Sequence, residues 1–136
     1  MKIYSESISL QSSKKRDAMN INSRLKAVVE KSAFREGVAI VSSLHSDSAV
    51  VLLQDDPSVL DQLDRFLDRL VPADDDRATG SGQQTPAAHI QGALLGHHLA
   101  IPFSEGRLDL GPCEAVFFVE LDGVRPRCLV VKVLGE

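Results

Sequence analysis

The sequence predicts an α+β fold: a mostly antiparallel, two-layer β-sheet or sandwich with two or three helices packed against it. Three observations predict it. Val38 to Leu44 and Ala49 to Leu53 are short, β-branched, apolar runs of strand length. The segment after Asp56-Pro57 carries apolar residues at three- and four-residue steps, the period of an amphipathic helix. The last third, from Ala88 onward, opens on a helix stopped by Gly96 and continues as strands and turns.

In chain order, Lys2 to Ser12 alternates Ile3, Ile8 and Leu10 against serines, which predicts a first strand. Asn20-Ile21-Asn22-Ser23 offers a helix N-cap, and Leu25, Val28 and Val29 form the apolar stripe that follows. Arg35-Glu36-Gly37 breaks that helix before the strands from Val38 and from Ala49. Asp56 caps the second helix and Pro57 fills its first position, where a missing N–H costs nothing. Leu60, Leu63, Phe66, Leu67 and Leu70 form its buried face, and Pro72 ends it. Ala73 to Thr85, with Asp74-Asp75-Asp76 and Gly80-Ser81-Gly82, has nothing to place in a core and predicts a loop. Pro86 starts the short third helix. Strands are expected over His98 to Phe103, Arg107 to Leu110, Glu114 to Leu121 and Arg127 to Leu134, the last two as a hairpin turning near Asp122-Gly123. Phe117-Phe118-Val119 and Leu129-Val130-Val131 are apolar on both faces, so helices, a second sheet or another subunit should cover both.

Composition narrows the function. The 136 residues suit one domain spanning 1–136, with 43% hydrophobic residues and a net charge of −4. That charge does not point to a dedicated nucleic-acid binder, and the lone basic run, Lys14-Lys15-Arg16, is a solvated turn by expectation. No apolar run approaches the ~20 residues of a membrane span, and Met1 to Ser5 has no apolar signal region, so a soluble cytoplasmic protein is expected. Cys113 and Cys128 would not face each other across the expected hairpin, which predicts free, mostly buried thiols.

Candidate chemistry rests on histidine. His45 and His89 can ligate a divalent metal or move protons near neutral pH, and Asp47 lies two positions beyond His45 as a conceivable third ligand. His97 and His98 are adjacent and so point to opposite sides of a strand, with no role expected for either. Arg107, Arg125 and Arg127 are candidate anion contacts, and Arg77 could join them from the loop. Gly80-Ser81-Gly82 lacks the Lys of a phosphate loop, Asp74 to Asp76 lacks the spacing of a calcium loop, and nothing near Cys113 marks it as a nucleophile.

In order and spacing, Asn20-Ile21-Asn22, His45-Ser46-Asp47-Ser48-Ala49, Leu67-Asp68-Arg69-Leu70-Val71-Pro72, Ala88-His89-Ile90, Ile101-Pro102, Gly106-Arg107-Leu108, Leu110-Gly111 and Asp122-Gly123-Val124-Arg125 resemble the YjbQ family. Its described activity is that of a secondary thiamine-phosphate synthase. The resemblance implies a homotrimer, a pocket at the joint between protomers, a small phosphorylated substrate and a site of three histidines. His45 and His89 match the first and third; no His lies between Val71 and Thr85 to match the second. Gln54 and Pro112-Cys113-Glu114 also depart from the family pattern. Two functions follow: a divergent enzyme acting on a small phosphorylated substrate, or a non-catalytic homotrimeric binding or assembly protein on the same fold.

Overall fold

The computed structural model describes residues 1–72 and 86–136; the expected loop and Arg77 lie outside the described residues. In chain order the elements are β1 (Lys2–Gln11), β2 (Asp17–Asn20), α1 (Asn22–Ser32), β3 (Gly37–Ser43), β4 (Ser48–Gln54), α2 (Pro57–Leu70), α3 (Pro86–Leu95), β5 (His98–Ser104), β6 (Arg107–Leu108), β7 (Glu114–Glu120) and β8 (Pro126–Gly135). The fold is α+β. Strands β1-β8-β3-β5-β6 make one antiparallel sheet and β2-β7-β4 a second.

The layering follows from residue alternation. Ile8, Ala39, Val41, Ile101, Phe103, Leu129, Val131 and Val133 line the inner face of the larger sheet. They pack against Val50, Val116 and Phe118 of the smaller sheet and against Leu25, Val28 and Val29 of α1. The other face of the smaller sheet, through Ala49, Ala115, Phe117 and Val119, packs against Leu60, Leu63 and Leu67 of α2 and Ala88 of α3. Strand β7 is thus apolar on both faces because a sheet covers one and helices the other. The outer face of β8 differs: Val130 and Leu134 are half-buried, while Cys128 and Lys132 are exposed.

Local signals explain the helix ends. Asp56 accepts from Ser58 N at 2.8 Å, and Pro57 opens α2. In α1 the capping position is Ile21, with no side-chain cap; Asn20 Oδ1 accepts from Asn22 N at 2.9 Å instead. Asn22 is spent on β7, its Oδ1 accepting from Val116 N at 2.7 Å.

Four expectations are overturned. Phe66 and Leu70, expected in the buried face of α2, are exposed, because the smaller sheet covers that helix through Leu60, Leu63 and Leu67. β7 and β8 form no hairpin, because they lie in different sheets. Their connection binds the turn after β1 instead: Gly123 N donates to Lys15 O at 2.9 Å and Ser12 N to Arg125 O at 3.2 Å. Both cysteines are free but exposed, since the inward phase of β8 is set by Leu129, Val131 and Val133, which turns Cys128 outward. Arg16 is not a solvated turn residue: Nη1 reaches Asp64 O and Asp68 Oδ1, each at 2.9 Å, and Nη2 donates to Gln91 Oε1 at 3.3 Å, tying β2 to α2 and α3. Among the described residues, no helix is long and apolar enough to cross a membrane.

Candidate functional site

The link between β3 and β4 includes His45-Ser46-Asp47, and two further histidines contact it through Ser46. Ser43 fixes its start: Ser43 Oγ accepts from His45 N at 3.3 Å and shares a hydrogen bond with Ser48 Oγ. Helix α3 presses close because residue 92 is glycine. A Cβ there would stand 2.5 Å from Ser46 O and 2.8 Å from Ser48 O. With that approach, His89 Nδ1 lies 2.7 Å from Ser46 Oγ, and His97 Nε2 lies 3.2 Å from Ser46 O. His45 receives a bond of its own: Cys128 N donates to Nε2 at 3.2 Å.

Each ring is held differently. His97 must carry its proton on Nε2, because a carbonyl can only accept. His45 Nε2 accepts and therefore carries none. His89 Nε2 is buried with no partner among the described residues. A polar atom buried without a partner is costly unless something else meets it.

Below the cluster lies a ladder of opposite charges. Arg127 is 3% exposed by side chain, with Nε donating to Glu120 Oε1 at 2.8 Å and Nη1 to Asp47 Oδ1 at 2.9 Å. Arg125 Nη1 lies 3.5 Å from Asp47 Oδ2, and its Nη2 lies 3.3 Å from Asp122 Oδ2. Burial pushes the Asp47 carboxyl up, but the Arg127 bond and the charges of both arginines outweigh it and hold it below the usual aspartate range. Burial would likewise weaken the Arg127 proton; bonds to Glu120 and Asp47 raise its affinity instead.

The sequence-predicted residues therefore divide. His45 and His89 come to the same loop, and His97, for which no role was expected, joins them. Arg125 is beside the loop, and Arg127 is beneath it, saturated by two carboxylates. Arg107 stands apart, past the Gly37 end of the larger sheet, whereas His45 follows the Ser43 end. The seven-residue strand β3 separates them, a span of about 20 Å. There Arg107 borders a hollow of about 280 Å³ with Asn22, Ser23, Lys26, Leu108 and Leu110.

Among the described residues, the donor set does not assemble the ligands of a resident metal. Asp47 is occupied by arginines, His45 Nε2 by an amide and His97 Nε2 by a carbonyl. Among the described residues, no three His, Cys, Asp or Glu side chains are grouped to hold an ion.

Residues 6–136 match the family model described as UPF0047 protein YjbQ-like. The chain belongs to the UPF0047 family. Its relatives include a UPF0047 protein of Methanothermobacter thermautotrophicus, 31% identical over all of this chain and 95% of that protein. Another, from Synechocystis sp., is 37% identical over 86% of this chain and 82% of its own length. Among solved structures, a YbjQ-like protein of unknown function from Sulfolobus solfataricus superposes with a TM-score of 0.91 at 25% identity, covering 99% of each chain. An uncharacterized YjbQ/UPF0047 protein from Clostridium acetobutylicum gives 0.88 at 28% identity, covering 95% of this chain and 99% of its own. The UPF0047 fold thus spans the β3–β4 link that carries His45 and the helix that carries His89.

Proposed function

We propose that this UPF0047 protein is a divergent enzyme of the secondary thiamine-phosphate synthase type. It acts on a small phosphorylated substrate at the His45–His89–His97 cluster. The observation that carries the reading is His89: Nδ1 meets the exposed Ser46 hydroxyl at 2.7 Å, while Nε2 is buried without a partner among the described residues. A ring bonded to an exposed hydroxyl can pass a proton through it to a bound group, while the buried nitrogen calls for a donor that the described residues do not supply. Joining a pyrimidine methylene pyrophosphate to a thiazole phosphate forms a C–N bond as the C–O bond to pyrophosphate breaks. The departing oxygens need positive charge or hydrogen-bond donors. Arg125, about a third exposed at the edge of the loop, is the arginine best placed for that, and histidine N–H groups add to it. Arg127 and Arg107 take no part in this reading.

Self-association belongs to the proposal, as a homotrimer. Phe66 and Leu70 on α2, and Ile90 and Leu94 on α3, are each spaced four residues apart and more than half exposed. They are apolar strips that a second copy would cover. The same strips favour the second reading, a trimeric binding or assembly protein without catalysis, as does the lack of a histidine between Val71 and Thr85.

Overexpression in a thiamine auxotroph that lacks its own thiamine-phosphate synthase tests the first reading. Growth lost in His89→Ala and His45→Ala supports it. No growth with the unaltered chain, or growth that survives both substitutions, overturns it. Light scattering on the purified protein checks for three copies, and Phe66→Lys with Ile90→Lys should leave single chains.

A further inference from the structure

Neutral imidazole has one N–H and one free lone pair. In His45 that lone pair is taken: the ring accepts at Nε2 from the amide of Cys128. The proton is then on Nδ1, which has no hydrogen-bond partner among the described residues, on a side chain only half-buried. Position 128 and the histidine loop are 83 positions apart, so something must hold them in register. Arg127, the neighbour of the donating amide, does so from below. Its guanidinium bonds Asp47, two positions past the histidine, and Glu120 at the end of β7. One buried fork therefore fastens both partners of the His45–Cys128 contact, the strand by its backbone and the loop by its carboxylate. A planar guanidinium can do this because its donors point in fixed directions; an ammonium cannot reach both acids in that geometry.

We propose that Arg127 is a positioning residue that presets His45 as the Nδ1–H tautomer, so that this histidine donates a hydrogen bond to an anionic oxygen, phosphate or carboxylate, rather than serving as base or metal ligand. The inference rests on the reading of the cluster as a site for a phosphorylated compound. It divides the cluster: His45 offers a fixed donor, His97 is a brace on the Ser46 carbonyl, and His89 keeps the uncommitted nitrogen. It also explains a buried arginine beside an exposed histidine loop without giving Arg127 any contact with substrate.

Long-range proton–nitrogen correlations of the histidine rings, on nitrogen-labelled protein above pH 8, report each tautomer directly. His45→Gln identifies the signals of His45. The expected result is a single Nδ1–H form for His45 in the unaltered chain. Asp47→Asn and Arg127→Lys should both turn it into a mixture with the Nε2–H form, while His98, bonded to Ser42 rather than to the ladder, stays as it was. Asp47→Asn keeps the Arg127–Glu120 pair, so it carries the test if Arg127→Lys does not fold. Inorganic phosphate should shift His45 Nδ1 in the unaltered chain and act several-fold more weakly on Asp47→Asn. An Nε2–H ring in the unaltered chain overturns the proposal. So does a tautomer that survives a folded Asp47→Asn chain, since the ladder would then be structural only, and so does a His45 signal blind to phosphate. Failure of the auxotroph to grow, with these signals as expected, would remove the synthase reading and leave the positioning role intact.

Discussion

Arg127 and Asp47 lie 80 positions apart and meet at 2.9 Å in the interior, with side chains 3% and 6% exposed. The pair joins the loop that bears His45 to the start of β8, and Glu120 completes it from β7. Two strands, one from each sheet, and the link between β3 and β4 thus converge on one guanidinium.

Arg127→Met should therefore cost about 3–5 kcal/mol of folding stability, because it leaves two buried carboxylates without their cation. Urea unfolding followed by circular dichroism measures it. Adding Glu120→Gln and Asp47→Asn to Arg127→Met should recover most of the loss, since no charge is then stranded. A single Arg127→Met with an unchanged midpoint would mean that water reaches the ladder.

Acid should weaken the fold through the same pair. The Asp47 carboxyl is held below its ordinary value, so the unfolded chain takes up that proton at a higher pH than the folded chain does. Its contribution is complete above the unfolded value of about 4 and drains away as pH falls through the lower folded value. Urea midpoints should be flat from pH 7 to 5 and drop below about pH 4. The drop should be shallower in Asp47→Asn, which has no proton to gain at that position.

The sequence carried most of the strands and helices, and residue phase explains both what it revealed and what it hid. Asp56-Pro57 and the leucine spacing place α2 within a residue, because capping and amphipathicity are local. Strand β2 has only four residues, three half-buried and none fully so, and no period can be read from so few. Asp122-Gly123 looks like a hairpin turn locally, yet Gly123 would bring any Cβ within 2.5 Å of Lys14 O, so its small size serves a crossing rather than a turn. Alternation in β8 did hold the key to the ladder: if Leu129, Val131 and Val133 point inward, so does Arg127. An inward arginine demands buried acids, which was a legible signal for Glu120 and Asp47. The joining of His97 to the cluster was not legible. It depends on how closely α3 settles on the Ser46–Ser48 backbone, a tertiary fact.

Asp56→Ala should remove the bonds from Ser58 N at 2.8 Å and Ser58 Oγ at 2.7 Å that close the start of α2. Losing such a cap costs about 1 kcal/mol, and Asp56→Ser should restore most of it. Thermal melts of the three chains rank them. The histidine signals should not change, because α2 packs on the smaller sheet through Leu60, Leu63 and Leu67, away from the Ser46 loop.

Gly92→Ala gives the sharpest sign test. In an exposed helix interior, replacing glycine with alanine stabilises by roughly 1 kcal/mol. Gly92 is buried in α3, and its new methyl would sit 2.5 Å from Ser46 O, 2.8 Å from Ser48 O and 3.1 Å from His97 Nε2. Two of those atoms are backbone and cannot swing aside, so the helix must lift. Overpacking of this kind costs about 1–3 kcal/mol. The melting temperature should fall rather than rise, and the contacts of His89 and His97 with Ser46 should loosen together, seen as shifts in both ring signals. A stabilised Gly92→Ala chain with unmoved histidine signals would show that α3 does not press on the loop, and the cluster would lose the contact that assembles it.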